Sequence, residues 1–307
     1  FISPLQNISF ANKSIETLAE YAIVIDFNTN RVLLDKNSDQ IMFPASMSKL
    51  MTAYVVFSQL ASKKITLEDT LRVSEKAWRK GGSKMFVEMG SRVSVEDLLK
   101  GMIVQSGNDA SIVLAEGLFG SEELFSLEMN RLAKRIGMNQ SNFKNATGWP
   151  DPEHVTTAKD LSLLASDLYK RFPQYMGYYS KKSYTYNNIK QGNRNPLLYK
   201  NLGSDGLKTG HTSKSGYGLV GSAVRNDRRV IAVINGLNSS KDRSQEAERL
   251  IDWSFREFNN YKIYNKNTEV YKAPIWLGTE EFVPVILNDD IKLTLSDEEY
   301  RNLKVKV

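Results

Sequence analysis

Phe43-Pro44-Ala45-Ser46-Met47-Ser48-Lys49-Leu50-Met51-Thr52 is the stretch on which the reading of this chain turns. Met47, Leu50, Met51 and Tyr54 recur at helical spacing, which predicts a helix from about Ser46 to Leu60. Upstream, the β-rich run Ala22 to Asp26 is followed by Asn28-Thr29-Asn30 and then Val32-Leu33-Leu34, a hairpin pattern. Downstream, Ser94-Val95-Glu96-Asp97 opens a helix with a hydroxyl cap and an acid three residues on. That helix carries Leu98, Leu99, Met102 and Ile103 and breaks at Gly107. Helices are also predicted over Ser121 to Ile136 and Ala158 to Lys170. Two β-rich runs follow, Tyr217 to Val224 and Arg229 to Leu237, around Asn226-Asp227. A helix from about Arg243 to Phe258 comes next, with Ala247, Leu250, Ile251 and Phe255 as its apolar stripe. Strands far apart in sequence that enclose helices predict an α/β (α+β) sheet with a separate helical lobe. After Tyr261 helical patterning gives out; Val270 to Leu277 and Val283 to Leu295 read as short strands of a small β module, cut short at Lys306-Val307. Two domains are expected, residues 1–260 and 261–307.

Composition removes several classes of function. With 41% hydrophobic and 25% charged residues, the chain can bury enough apolar surface to fold. Zero cysteine excludes a disulfide framework, a thiolate zinc site and a cysteine nucleophile. The histidines, His154 and His211, are too few for a histidine-built metal centre and a poor basis for a Ser-His-Asp triad. No metal and no cofactor is expected. The net charge of +6 is spread over short groups such as Lys181-Lys182 and Arg228-Arg229, so it reads as solvated surface and no nucleic-acid partner is expected. Tyrosines between Arg171 and Leu202 read as packing residues beside a cleft, ahead of base-stacking platforms. No apolar run approaches the eighteen residues of a spanning helix. The start at Phe1-Ile2-Ser3-Pro4, without an initiator Met, fits a trimmed export signal or a chosen chain boundary.

Ser46 and Lys49 stand one helical turn apart, so hydroxyl and amine share a helix face near the positive end of its dipole. Serine needs a base beside it, and an unprotonated lysine at i+3 is one. A free lysine has a pKa of ~10.4, so the pair works only where burial or a neighbouring cation lowers it. Spacing alone is weak, since it recurs at Ser141-Asn142-Phe143-Lys144, read as surface. Two companions strengthen it. Ser106-Gly107-Asn108 falls at a break between helices, where a hydroxyl can face a cleft and an amide can bond a substrate carbonyl. Lys208-Thr209-Gly210 precedes a strand-like run; a lysine, a hydroxyl and a glycine on a strand edge can dock a carboxylate and an extended peptide.

These motifs in this order resemble the serine acyl-transfer signature of penicillin-binding proteins and class A β-lactamases, with Ser-Gly-Asn in place of Ser-Asp-Asn. The chain resembles the D-alanyl-D-alanine carboxypeptidases, low-molecular-mass penicillin-binding proteins, over roughly residues 20 to 258. Further matches are Phe43 to Thr52, Ser106 to Ala110, Ala146-Thr147-Gly148-Trp149-Pro150-Asp151-Pro152, His154 to Asp160, Asn193 to Leu198 and Asp205 to Thr212. The resemblance implies a β-lactamase/transpeptidase-like domain, an antiparallel sheet flanked by helices, with a partial C-terminal β domain. That domain normally leads to a membrane anchor, absent from this chain, so peripheral membrane association is expected from the family alone.

Carried over by resemblance, Ser46 attacks the carbonyl between two terminal D-alanines and Lys49 takes its proton. Ser106 relays a proton to the leaving D-alanine with Lys208 assisting, and Asn108 holds the substrate amide. Thr209 and Arg243 bind the terminal carboxylate, Arg243 on the weaker match Arg243-Ser244-Gln245-Glu246. Gly210 keeps the strand edge open, and the backbone amides of Ser46 and His211 form the oxyanion hole. His154 is expected to be structural. The partners implied are peptidoglycan pentapeptides ending in D-Ala-D-Ala and β-lactam antibiotics; the location implied is exported, periplasmic or on the outer face of the cytoplasmic membrane. Two rivals stay open. A serine β-lactamase would need a deacylating base, for which Glu153 is the candidate, although the family's Glu-x-x-Leu-Asn pattern is missing. A non-catalytic peptidoglycan-binding protein would keep the cleft without the chemistry.

Overall fold

Two short apolar runs around an Asn-rich turn make Tyr21–Asp26 (β1) and Val32–Lys36 (β2) a hairpin. The protein is known here from a computed structural model that describes residues 15–304; the start at Phe1 to Pro4 and the end at Lys306-Val307, with the expectations placed on them, lie outside the described residues. A single 3₁₀ turn, Ala45–Ser48, leads into Lys49–Ala61 (α1). The helical lobe follows: Thr70–Arg72 (β3), Glu75–Arg79 (α2), Arg92–Ser94 (β4), Val95–Val104 (α3), Asn108–Phe119 (α4), Glu122–Arg135 (α5) and Ala158–Arg171 (α6). A small hairpin, Ser183–Tyr186 (β5) with Ile189–Gly192 (β6), precedes three long strands, Ser204–Thr212 (β7), Gly216–Arg225 (β8) and Arg228–Leu237 (β9). Ser240–Glu257 (α7) closes the main body. The tail is Asn259–Tyr264 (β10), Glu269–Pro274 (β11), Phe282–Ile286 (β12), Ile291–Leu295 (β13) and Asp297–Arg301 (α8).

The central sheet runs β2-β1-β9-β8-β7 and is antiparallel throughout. Successive strand residues face opposite sides, so each strand feeds two cores. Ile23, Ile25, Val220, Ile231 and Val233 pack against the helical lobe. Val24, Leu219, Ala232 and Ile234 pack against Ala247, Leu250 and Ile251 of α7. Truncating a residue such as Leu250 to Ala is expected to cost about 2–5 kcal/mol. α1 is buried on nearly every side, from Lys49 to Phe57, because sheet and lobe enclose it. Its charged first residue therefore starts inside the protein.

The structure adds elements that the sequence pattern does not announce: α2, the hairpins β3–β4 and β5–β6, β7 as a full strand, and α8, where no helical pattern was read. All but β7 are short, and Ser296 and Glu299 start α8 with a capping box. The expected last helix ends one residue early, at Glu257, and β10 pairs with β13. The tyrosine-rich segment packs: Tyr184 donates to Asp97 at 2.7 Å and Tyr178 to Glu96 at 3.3 Å.

Candidate active site

Three packed elements hold the turn that carries Ser46. Ala45 has φ +46°, a left-handed conformation that a residue with a Cβ adopts only where surroundings enforce it. Against this turn lies β7 at Gly210, where a Cβ would sit 2.8 Å from the Pro44 carbonyl oxygen and 3.1 Å from Met47 Cγ. On the other side Gly148, at φ +78°, leaves space that a Cβ would fill to within 1.8 Å of the Ala45 oxygen. Below it, the Lys144 amide donates to His154 Nδ1 at 3.1 Å, which assigns the ring proton to Nε2. Nε2 then donates to Ser48 Oγ at 2.7 Å, and Ser48 donates to the Ala45 oxygen at 2.8 Å. Burial lowers the His154 pKa to about 4, so the ring stays neutral in that chain. His154 is structural, as its sequence context implied.

Lys49 is 1% exposed, and its Nζ lies 2.9 Å from Ser46 Oγ, 2.8 Å from Asn108 Oδ1 and 2.6 Å from the Thr147 carbonyl oxygen. The last two atoms only accept. As a neutral amine, Lys49 gives its two N–H groups to them and turns its lone pair toward the Ser46 hydroxyl. Its pKa is driven well below the usual lysine range, first by burial and then by Lys208 and Arg194. Asp109 acts in the opposite direction, by less than either of those cations. Its carboxylate is engaged elsewhere, accepting from the amides of Met85, Phe86 and Val87.

The middle motif lies at the α3–α4 break. Ser106 has φ +65° and lines the cleft. Gly107 is small for a packing reason: a Cβ would meet Asp109 Oδ1 at 2.9 Å and the Gly101 oxygen at 3.2 Å. Asn108 Nδ2 donates to the Gly81 oxygen at 2.9 Å and its Oδ1 accepts from Lys49, which leaves one amide hydrogen and one lone pair unused.

Across from these, β7 supplies Lys208, Thr209, Gly210 and His211. Lys208 is 3% exposed, and its Nζ has one partner among the described residues, the Thr209 oxygen at 3.1 Å. Burial, then Arg194 and Arg243, lower its pKa to about 7. The His211 ring stacks on Tyr217 with centroids 3.8 Å apart, and the Arg243 guanidinium sits 5.6 Å from the same Tyr217 ring. Burial lowers the pKa of Arg194 and of Arg243. Ser46, Ser106, Thr209, Gly210, His211 and Arg243 line one cleft of about 530 Å³, with Ser83, Arg194 and Tyr217. Lys49, Asn108 and Lys208 are buried beside it.

All nine residues singled out in the sequence thus lie in or beside one cleft. Ser83, Arg194 and Tyr217 were given no role there. Ser83 sits in Gly81-Gly82-Ser83 and accepts a hydrogen bond from Arg194 Nη1, so the two are joined only by folding. No cluster of metal-ligating side chains occurs among the described residues. Glu153 points away: its carboxylate takes the Lys144 ammonium at 3.0 Å on the surface, which leaves the β-lactamase rival without its base.

Comparison with known proteins agrees with this geometry. The family model for D-alanyl-D-alanine carboxypeptidase matches residues 8–239, and that for the penicillin-binding protein 5 C-terminal domain matches residues 258–307. D-alanyl-D-alanine carboxypeptidase DacD of Escherichia coli is 37% identical over 98% of this chain and 79% of its own. DacF of Bacillus subtilis is 34% identical over 94% and 76%. Among solved structures, DacD from Francisella tularensis superposes with a TM-score of 0.87 at 31% identity, over 96% of this chain and 85% of its own. Penicillin-binding protein D2 of Listeria monocytogenes, in its ampicillin-bound form, superposes at 0.72 and 32% identity, over 79% and 99%. The fold is the β-lactamase/transpeptidase-like fold of penicillin-binding proteins, and the chain belongs to the D-alanyl-D-alanine carboxypeptidase family of serine peptidases.

Proposed function

We propose that this cleft removes the terminal D-alanine from peptidoglycan stems ending in D-Ala-D-Ala through an ester on Ser46. The observation that carries the reading is the Lys49 amine: buried, held by two acceptor-only partners and 2.9 Å from the Ser46 hydroxyl. Lys49 takes the proton as Ser46 Oγ bonds to the carbonyl carbon of the penultimate D-alanine. The backbone N–H groups of Ser46 and His211 hold the oxyanion, each worth about 3 kcal/mol in such sites. The carbon–nitrogen bond then breaks, and Ser106 hands the proton to the departing amine. Asn108 holds the substrate amide. Lys208, Thr209 and Arg243 receive the terminal carboxylate, with Arg194 beside them. Water then attacks the ester and returns a proton to Ser46. A β-lactam enters by the same attack and stalls as an acyl adduct, because its amine stays tethered.

Residues 1–260 form the peptidase domain and residues 261–307 a β-rich module; every cleft residue lies in the first. The substrate lies outside the cytoplasmic membrane, so the enzyme works there. No helix among the described residues is long and apolar enough to cross a membrane. The test is release of D-alanine from a synthetic pentapeptide stem. The wild type is expected to release one D-alanine per peptide and Ser46→Ala none; release by Ser46→Ala would remove the acyl-serine step.

A further inference from the structure

Elsewhere in this chain partly buried arginines are held by acids: Arg31 by Glu299, Arg225 by Asp252, Arg228 by Asp26 and Arg229 by Asp205. Arg243, in the cleft, has no carboxylate partner among the described residues. Asp242, beside it in α7, instead accepts from Ser239 Oγ at 2.7 Å, and Arg243 Nε is buried without a hydrogen-bond partner. What holds the guanidinium is an aromatic ring. It lies over Tyr217, 5.6 Å from the ring centre, within the range of cation–π attraction.

Tyr217 is itself tied down. At the start of β8 it pairs with His211 of β7 on one side and with Leu237 of β9 on the other. The His211 ring stacks on it with centroids 3.8 Å apart. The turn before it is closed by Thr212 and Ser215, whose hydroxyls each accept from the other's backbone N–H. Gly216, at φ +64°, brings the chain so near β9 that a Cβ would sit 2.9 Å from the Leu237 oxygen. The ring therefore keeps one place on the cleft wall.

A ring in that place differs chemically from an acid. A carboxylate would satisfy the guanidinium and occupy the position that an incoming carboxylate must take. A ring face attracts the charge and leaves the planar N–H fork open for bidentate bonds to a ligand. With Lys208 and Arg194 beside it, the fork then faces a cleft that lacks only the anion.

We propose that Tyr217 is a positioning residue: its ring seats Arg243 in the role that an acid has for the other arginines, and so keeps the guanidinium free for the ligand's carboxylate. The proposal rests on the carboxypeptidase reading and goes beyond it to a residue that touches no substrate atom.

The test compares kcat/KM for an N-acylated peptide ending in D-Ala-D-Ala with that for its C-terminal carboxamide. The wild type is expected to favour the acid about a hundredfold, the worth of a desolvated charge pair. Tyr217→Leu should lower that acid-to-amide ratio about tenfold, while Tyr217→Phe, which keeps the ring, should hold it within about twofold. Tyr217→Thr, which suits a strand, reads the same loss should the leucine variant not fold. With Arg243→Ala in place, Tyr217→Leu should lower the ratio no further, because the ring acts through that arginine. A role in folding alone slows both substrates together. A ratio unchanged in Tyr217→Leu, lost equally in Tyr217→Phe, or lowered again without Arg243 overturns the proposal. A wild type that cleaves neither peptide would instead overturn the carboxypeptidase reading, and one indifferent to the terminal charge would overturn the carboxylate role given to Thr209 and Arg243.

Discussion

The chain carries the spacing Ser-x-x-Lys twice, at Ser46–Lys49 and at Ser141–Lys144, and the two regions do opposite things with it. Lys49 is 1% exposed, has no acid partner among the described residues and points at its serine across 2.9 Å. Lys144 reaches water and pairs with Glu153, which raises its pKa. Its serine gives its proton elsewhere, to Asp160 at 2.7 Å. Spacing supplies reach, whereas burial without a carboxylate makes a lysine a base. The first pair opens a helix enclosed by sheet and lobe; the second lies in a surface loop.

The sharpest way to break the comparison is to delete both amines. Lys49→Gln is expected to lower acylation by β-lactam and D-alanine release about a thousandfold, the middle of the range for a lost general base. Lys144→Gln should stay within twofold in the same assays. Comparable losses would mean that burial is not what separates the two. A second route gives Lys49 the acid that Lys144 has. Asn108→Asp places a carboxylate 2.8 Å from Nζ, stabilises the ammonium and raises the Lys49 pKa. Less neutral amine is then present at pH 7, so acylation should slow by about ten- to a hundredfold there. The rate should recover at higher pH, whereas Asn108→Ala, which adds no charge, should not shift the profile in that way.

A smaller effect separates Lys49 from the other buried lysine. Lys49 acts neutral, so kcat/KM rises with pH as it loses its proton, well below the usual lysine range. Lys208 acts charged, so kcat/KM falls as pH passes about 7, where burial and the neighbouring arginines set its pKa. Lys208→Arg keeps its charge at high pH and should remove the falling limb while leaving the rising one. The smallest effect belongs to the surface pair: Glu153→Gln should alter neither acylation nor the melting temperature measurably, as expected of an exposed ion pair. A loss of deacylation in that variant would revive the β-lactamase rival.

Helices with a regular apolar stripe, such as α3, α6 and α7, were legible from periodicity, and the β8–β9 hairpin from Asn226-Asp227, both at positive φ. β7 was read only as the edge of a strand, because its buried stretch carries Lys208 on one face and Thr209 on the other, where a structural strand would bury apolar residues. The chemistry hides the strand. The motif residues were legible because each group is contiguous in the chain: Lys49 stands one turn from its serine, and Lys208, Thr209 and Gly210 are neighbours. Ser83 and Arg194 were not, since they meet across 111 residues of chain and no local spacing marks either. Nor did the sequence show why the middle motif holds Gly107, whose reason is the crowding by Asp109 and Gly101.

The central claim is that Ser46, activated by Lys49, becomes the acylated residue. Intact mass followed over time with excess penicillin, then peptide mapping, tests it directly. A long-lived adduct on the peptide carrying Ser46, with none on the peptide carrying Ser141, is the predicted result. Rapid consumption of the drug without an adduct, or an adduct on any other residue, would contradict it.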